Sequence, residues 1–88
     1  MPLASRHRKE LLRIFEEPAR TDVRWGHVEA LLKALGAELS EGRGSRIRVA
    51  LGRVRAVFHR PHPRPEIDRG ALRSLRRLLL EAGVGPED

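Results

Sequence analysis

The 88-residue chain has no cysteine and no tyrosine, and Phe15, Trp25 and Phe58 are its only aromatic residues. Without cysteine there is neither a disulfide nor a cysteine-ligated zinc, a composition that suits a reducing cytosol. The scarcity of rings leaves the core to leucine, valine, isoleucine and alanine, within an apolar share of 40%. No apolar run approaches the roughly 20 residues of a membrane span or the core of a signal peptide. The expectation is a soluble, cytoplasmic, single-domain protein with no membrane attachment. A chain this short buries only about 60 to 65% of the surface its unfolded form exposes, so a stabilising partner fits it well.

Charge is what the sequence has in abundance, and its placement is more informative than its net value of +6. Between Gly42 and Arg77 eleven arginines stand against Glu66 and Asp68, giving +9, whereas the remainder holds seven basic and ten acidic residues, giving −3. A field concentrated on one segment is the electrostatic footprint of a nucleic-acid-binding protein, because phosphate neutralisation with counterion release supplies most non-specific affinity. A solvated arginine-rich surface reflecting composition alone is the competing reading.

Periodicity divides the chain into helices, strands and a last helix. Ser5 is placed to cap a helix with Leu11, Ile14 and Phe15 on one face, stopped by Pro18. Thr21 or Asp22 is placed to cap a second, in which Trp25, Val28, Leu31, Leu32 and Leu35 keep a helical period up to Gly36. The two are either separate or one broken element. The pattern then alternates, giving a short strand over 37–41, a glycine turn Gly42-Arg43-Gly44, and two strands carrying Ile47, Val49, Leu51 and Val54, Ala56, Phe58. Between these strands Gly52-Arg53 has the form of a type II′ hairpin loop. After Pro61-His62-Pro63-Arg64-Pro65, Asp68 is placed to cap a final helix with Leu72, Leu75, Leu79 and Ala82 inward, closed by Gly83. One domain over 5–84 with flexible ends at 1–4 and 85–88 is expected, of α+β class.

The hairpin fixes a register. With Gly52 and Arg53 as loop residues, opposed positions sum to 105, so 51 faces 54, 49 faces 56 and 47 faces 58, all apolar pairs. A one-residue slip would turn every one of these side chains to the wrong face. The other face pairs Arg46 with His59, Arg48 with Val57 and Ala50 with Arg55, at the spacing where cross-strand side chains interact. A histidine beside an arginine suits RNA cleavage, since neutral imidazole can take the proton of a 2′-hydroxyl while guanidinium holds the phosphate bidentately. His59 and Arg46 are therefore the catalytic candidates, and the chemistry needs no metal or other cofactor. Arg43, Ser45, Arg48, Arg55, Arg60, His62, Arg69 and Arg73 are the candidates for holding RNA. An ordinary strand histidine beside a basic groove is the alternative for His59.

Other patterns carry less. His59-Arg60-Pro61-His62 has an H-x-x-H spacing with Glu66 and Asp68 downstream, but proline at 61 and 63 keeps the segment extended and the ligand set is incomplete. His62 reads instead as a link residue or a second phosphate contact. Gly42-Arg43-Gly44-Ser45 lacks the strand-to-helix passage and the lysine of a nucleotide-binding loop, although its amides could approach an anion closely. Arg69, Arg73, Arg76 and Arg77 form a stripe on the last helix that can follow a phosphate backbone. Trp25 reads as core, and His27 lies outside the basic segment.

From about Arg13 through Trp25, Leu31-Leu32 and Leu35-Gly36 to Gly42-x-Gly44-Ser45, and then in Pro61-His62-Pro63, Ile67, Gly70, Leu72, Leu75, Ala82 and Gly83, the chain resembles the HicA family of toxins from type II toxin–antitoxin systems. The resemblance implies a double-stranded-RNA-binding-like fold of one or two helices, three antiparallel strands and a helix. It also implies cleavage of messenger RNA and inhibition by a HicB-type antitoxin, through which an oligomer can assemble. Members typically carry their catalytic histidine directly after the Gly-Ser pair, where this chain has Arg46. Either the histidine's work has crossed the ladder to His59, or the chain binds double-stranded RNA without cutting it.

Overall fold

A computed structural model describes residues 3–87; Met1, Pro2 and Asp88, which belong to the ends expected to be flexible, lie outside the described residues. The order is α1 (Ser5–Ile14), α2 (Trp25–Ala34), β1 (Glu38–Glu41), β2 (Arg46–Leu51), β3 (Val54–His59) and α3 (Arg69–Glu81). The two amino-terminal helices are thus separate elements. The strands form an antiparallel meander in the order β1-β2-β3, and α2 and α3 pack against the sheet while α1 packs on α2.

The hairpin register is the one the alternation predicts, with Arg46 opposite His59, Ile47 opposite Phe58, Val49 opposite Ala56 and Leu51 opposite Val54. Gly52 has φ of +60° and Arg53 does not share a positive φ. That combination belongs to a type II′ turn, whose twist matches the strands it joins. One face of the sheet, carrying Ile47, Val49, Leu51 and Phe58, is buried with Leu31, Leu32, Leu72, Leu75 and Leu79 from the helices. Trp25 joins this core and lies against Phe58 with ring centroids 5.7 Å apart. Leu11 and Ile14 of α1 are fully buried as well, so α1 is part of the core. At roughly 1.5 to 3 kcal/mol for each large apolar side chain buried, its contribution is substantial for a domain of this size.

Two expected caps are corrected. Ser5 is the first helical residue of α1, with Ala4 at the cap position and no side-chain cap. Neither Thr21 nor Asp22 caps α2, which begins only at Trp25. The delay has a tertiary cause: Trp25 N–H donates to Pro65 O at 2.9 Å, Ile67 N–H donates to Val23 O at 2.9 Å, and Arg24 bridges to Glu66. Val23 and Arg24 are held extended by the segment that leads into α3, so helix cannot start earlier. Asp22 is occupied elsewhere, taking both Nε and Nη2 of Arg20 at 2.8 Å.

The other helix ends are as the sequence indicates. Asp68 caps α3 by accepting from Ala71 N–H at 2.7 Å. Ala37 N–H reaches Leu32 O at 2.9 Å and Val84 N–H reaches Leu79 O at 2.8 Å, each just past a glycine of positive φ, which closes α2 and α3 on their orphan carbonyls. Among the described residues no helix is long and apolar enough to cross a membrane.

Candidate nucleic-acid interface

The sheet face turned away from the helices carries Arg46, Arg48, Arg55, Val57 and His59, with Ser40 and Glu38 of β1 beside them. A shallow groove of about 850 Å³ runs over its middle, lined by Glu38, Ser40, Arg48, Ala50, Arg55 and Val57 among others. Arg60 N–H donates to Ser45 O at 2.8 Å, so residues 45 and 60 form a hydrogen-bonded pair. The next pair, Arg46 with His59, is therefore of the non-hydrogen-bonded kind, in which opposed Cα atoms are only about 4.5 Å apart and side chains lie closest. Gly42 makes room for this crowding: a Cβ there would stand 3.3 Å from Arg46 Cβ and 3.9 Å from Arg48 Nε. Gly42 N–H also donates to Arg46 O at 2.9 Å, and Arg46 N–H donates to Arg43 O at 3.1 Å, which fixes the backbone of Arg46 against the turn.

Topology gathers several of the remaining candidates at the same end of the sheet. The turn with Arg43 and Ser45 meets the end of β3, and the proline-rich link and the start of α3 lie beside His59, whereas Arg69 lines a separate cleft with Arg20, Thr21 and Arg64. His59 and His62 line one cleft of about 220 Å³ together with Pro61, Pro63, Arg64, Glu66, Ile67, Asp68 and Ala71. Arg55 is not part of this gathering, since it lies near the opposite end and its Nη1 reaches Gly52 O at 3.5 Å.

Salt bridges sort the arginines in a way that composition does not. Arg60 alternates to the inner side of β3, where its Nη2 lies 3.8 Å from both Glu29 Oε2 and Glu41 Oε2. Arg64 pairs with Glu66 at 3.8 Å. Arg76 leaves the stripe on α3 altogether: its Nε donates to Ile14 O at 2.7 Å, Nη2 to Glu16 O at 2.8 Å and Nη1 to Glu17 Oε2 at 2.6 Å. Among the described residues Arg43, Arg46, Arg48, Arg53, Arg55, Arg69, Arg73 and Arg77 have no carboxylate partner. Within the basic segment from Gly42 to Arg77 these are the charges free to meet an anion.

A second group of polar residues is not visible in the sequence as a unit. Glu10 is buried on α1, with Oε1 at 3.6 Å from His27 Nδ1 and from Arg13 Nε, and with no protein partner for Oε2. Arg6, His7 and Ala30 complete the lining of this cleft between α1 and α2. The signal was the placement of Glu10 four residues before Ile14 on the apolar side of α1. Among the described residues no three of histidine, aspartate and glutamate come together as a metal site.

The helix, three-stranded meander and helix from α2 to α3 make an α+β fold of the double-stranded-RNA-binding-like arrangement, to which α1 is an addition. A family model of the HicA toxin of bacterial toxin–antitoxin systems matches residues 25–84, from the first residue of α2 to just beyond α3. The chain belongs to the HicA toxin family and is accordingly the toxin of a toxin–antitoxin pair, with an antitoxin as its partner. Neither the curated proteins nor the solved structures contain a match.

Proposed function

We propose that this protein is an endoribonuclease that cuts messenger RNA, with His59 as the proton-transfer group, Arg46 as the phosphate clamp and a HicB-type antitoxin as its inhibitor in the cytoplasm. The observation that carries the reading is the close cross-strand pair Arg46 and His59 on a face whose arginines lack carboxylate partners. His59 takes the proton of a 2′-hydroxyl, the 2′-oxygen attacks phosphorus, and the bond from phosphorus to the 5′-oxygen breaks. Arg46 meets the charge that develops on the non-bridging oxygens. The products are a 2′,3′-cyclic phosphate and a 5′-hydroxyl. Arg43, Ser45 and Arg48 hold the strand at this end, with Arg55 further along the face and Arg69 and Arg73 reaching it from the amino-terminal half of α3. Arg60 faces Glu29 and Glu41 and steadies the end of β3.

The arginine at 46, where the family resemblance leads one to expect histidine, favours a second reading, a module that binds double-stranded RNA by the shape and phosphates of its A-form helix and leaves it intact. Incubating purified protein with an mRNA and labelling 5′-hydroxyl ends separates the two. The first reading gives new ends that are lost in His59→Ala, together with growth arrest on expression that the same substitution relieves. Salt-sensitive duplex binding with no new ends establishes the second.

A further inference from the structure

We propose that His62 is the second proton-transfer group of the site, forming with His59 an acid–base pair that acts on one RNA phosphodiester; the inference rests on the ribonuclease reading. Transesterification requires a proton to leave the attacking 2′-oxygen and another to reach the departing 5′-oxygen. Arg46 supplies charge to the phosphate but, permanently protonated, it cannot supply that second proton. A second imidazole can, because histidine exchanges protons near neutral pH.

The structure brings that imidazole to the same cleft as the first. His59 and His62 line the same cleft of about 220 Å³, room for roughly seven water molecules at about 30 Å³ each and hence for a phosphodiester group. The link that carries His62 is anchored at both ends. Arg60 N–H donates to Ser45 O at 2.8 Å at its start, and Trp25 N–H donates to Pro65 O at 2.9 Å at its end. Between these anchors Pro61 and Pro63 fix φ on either side of His62, so the ring projects from a stiff segment. The two carboxylates of the cleft are already engaged, Asp68 by Ala71 N–H at 2.7 Å and Glu66 by Arg64 at 3.8 Å, which reduces their opposition to an incoming phosphate. Arg46 beside His59 seats the phosphate against β3. The ring at 59 then takes the proton of the 2′-hydroxyl and the ring at 62 gives one to the 5′-oxygen as the P–O5′ bond breaks.

The test uses the full chain and a short synthetic RNA with one mapped cleavage site, made with either oxygen or sulfur as the bridging 5′ atom. A thiolate leaves without a proton, so sulfur removes the need for the acid alone. On the oxygen substrate His62→Ala and His59→Ala each lose about 10²- to 10⁴-fold in single-turnover rate. On the sulfur substrate His62→Ala returns to within about tenfold of the unsubstituted protein while His59→Ala stays slow. His62→Gln, which keeps a polar side chain at this exposed position, behaves like the alanine variant on both substrates. Undiminished cleavage of the oxygen substrate by His62→Ala overturns the proposal, as does an equal loss on both substrates, which marks a positioning role. Rescue of His59→Ala in place of His62→Ala also overturns it. If the unsubstituted protein cuts neither RNA, the ribonuclease reading itself has failed and this inference with it.

Discussion

Arg46 and His59 differ from most residue pairs in being interchangeable without consequence for the core, since both are exposed and opposed on the outer face of one hairpin. If the chemistry needs one imidazole and one guanidinium across that ladder, exchanging them preserves the set. Arg46→His alone and His59→Arg alone each remove one member and should lower single-turnover cleavage by about 10²-fold or more. The double exchange, which returns histidine to the position where the family resemblance expects it, should recover much of that loss. The non-additivity is the diagnostic quantity, and a double variant as slow as the product of the two single losses would remove the pair from the mechanism.

Asp22 offers a prediction independent of function. The guanidinium of Arg20, joined by two hydrogen bonds, holds the Asp22 carboxyl well below the usual carboxylate range, with Arg13 adding to the effect. A carboxyl whose folded-state pKa is depressed contributes stability that is fully present above its unfolded value of about 3.9 and fades as pH falls through the folded value. Asp22→Asn should therefore lower Tm by a constant amount between pH 7 and about pH 4, and the gap should close in more acidic buffer. Because the group is exposed, added salt should shrink the difference at neutral pH. Thermal denaturation followed by circular dichroism at several pH values measures both.

At the scale of elements, α1 is attached by a device that its sequence does not announce. Arg76 reads as one more arginine on a basic stripe, yet its three nitrogens bind Ile14 O, Glu16 O and Glu17 Oε2 at 2.6 to 2.8 Å, closing the carboxy-terminal end of α1. Arg76→Ala should cost about 2 kcal/mol, given that hydrogen bonds from charged groups contribute roughly 1.5 to 3 kcal/mol each and are not additive. For a domain of this length that is a fall in Tm of about 10 °C. Arg76→Lys should recover little, because one ammonium cannot span three acceptors. Hydrogen exchange should quicken first over 5–14, while the strands keep their protection.

The same scale shows what could be read in advance. The register of β2 and β3 was legible because a two-residue glycine loop and three apolar pairs agree on one alignment, and both are local facts. The Asp68 cap and the glycine exits of α2 and α3 are local too. The start of α2 was not, since Thr21 and Asp22 look like caps until residues 23–25 meet residues 65–67, some forty positions away in sequence. Arginine type likewise says nothing about partners. Arg60 and Arg76 leave the interface only because carboxylates and carbonyls on other elements lie within their reach. The spacing of His59 and His62 was plain, but their sharing of a cleft depends on the path of the link between two anchors.

For the molecule as a whole, the difference between carrying charge and presenting it decides how tightly RNA is held. The net charge of +6 understates the interface, because much of the acidic complement is spent on Arg13, Arg20, Arg60, Arg64 and Arg76. Each phosphate contact releases counterions and steepens the fall of affinity with salt by about 0.7 to 0.9 in the log–log slope. If about six of the unpartnered arginines engage an RNA duplex, the slope should be about −4 to −5. Arg48→Ala should weaken binding and flatten the slope by nearly one contact, since Arg48 stands on the open face and makes no ion pair among the described residues. Arg60→Ala removes the same formal charge but takes it from beside Glu29 and Glu41, so the slope should hardly change. Affinities measured at four or five salt concentrations for the three proteins are sufficient. Equal flattening by the two substitutions would mean that net charge governs binding and that the sorting of arginines by their partners has no bearing on it.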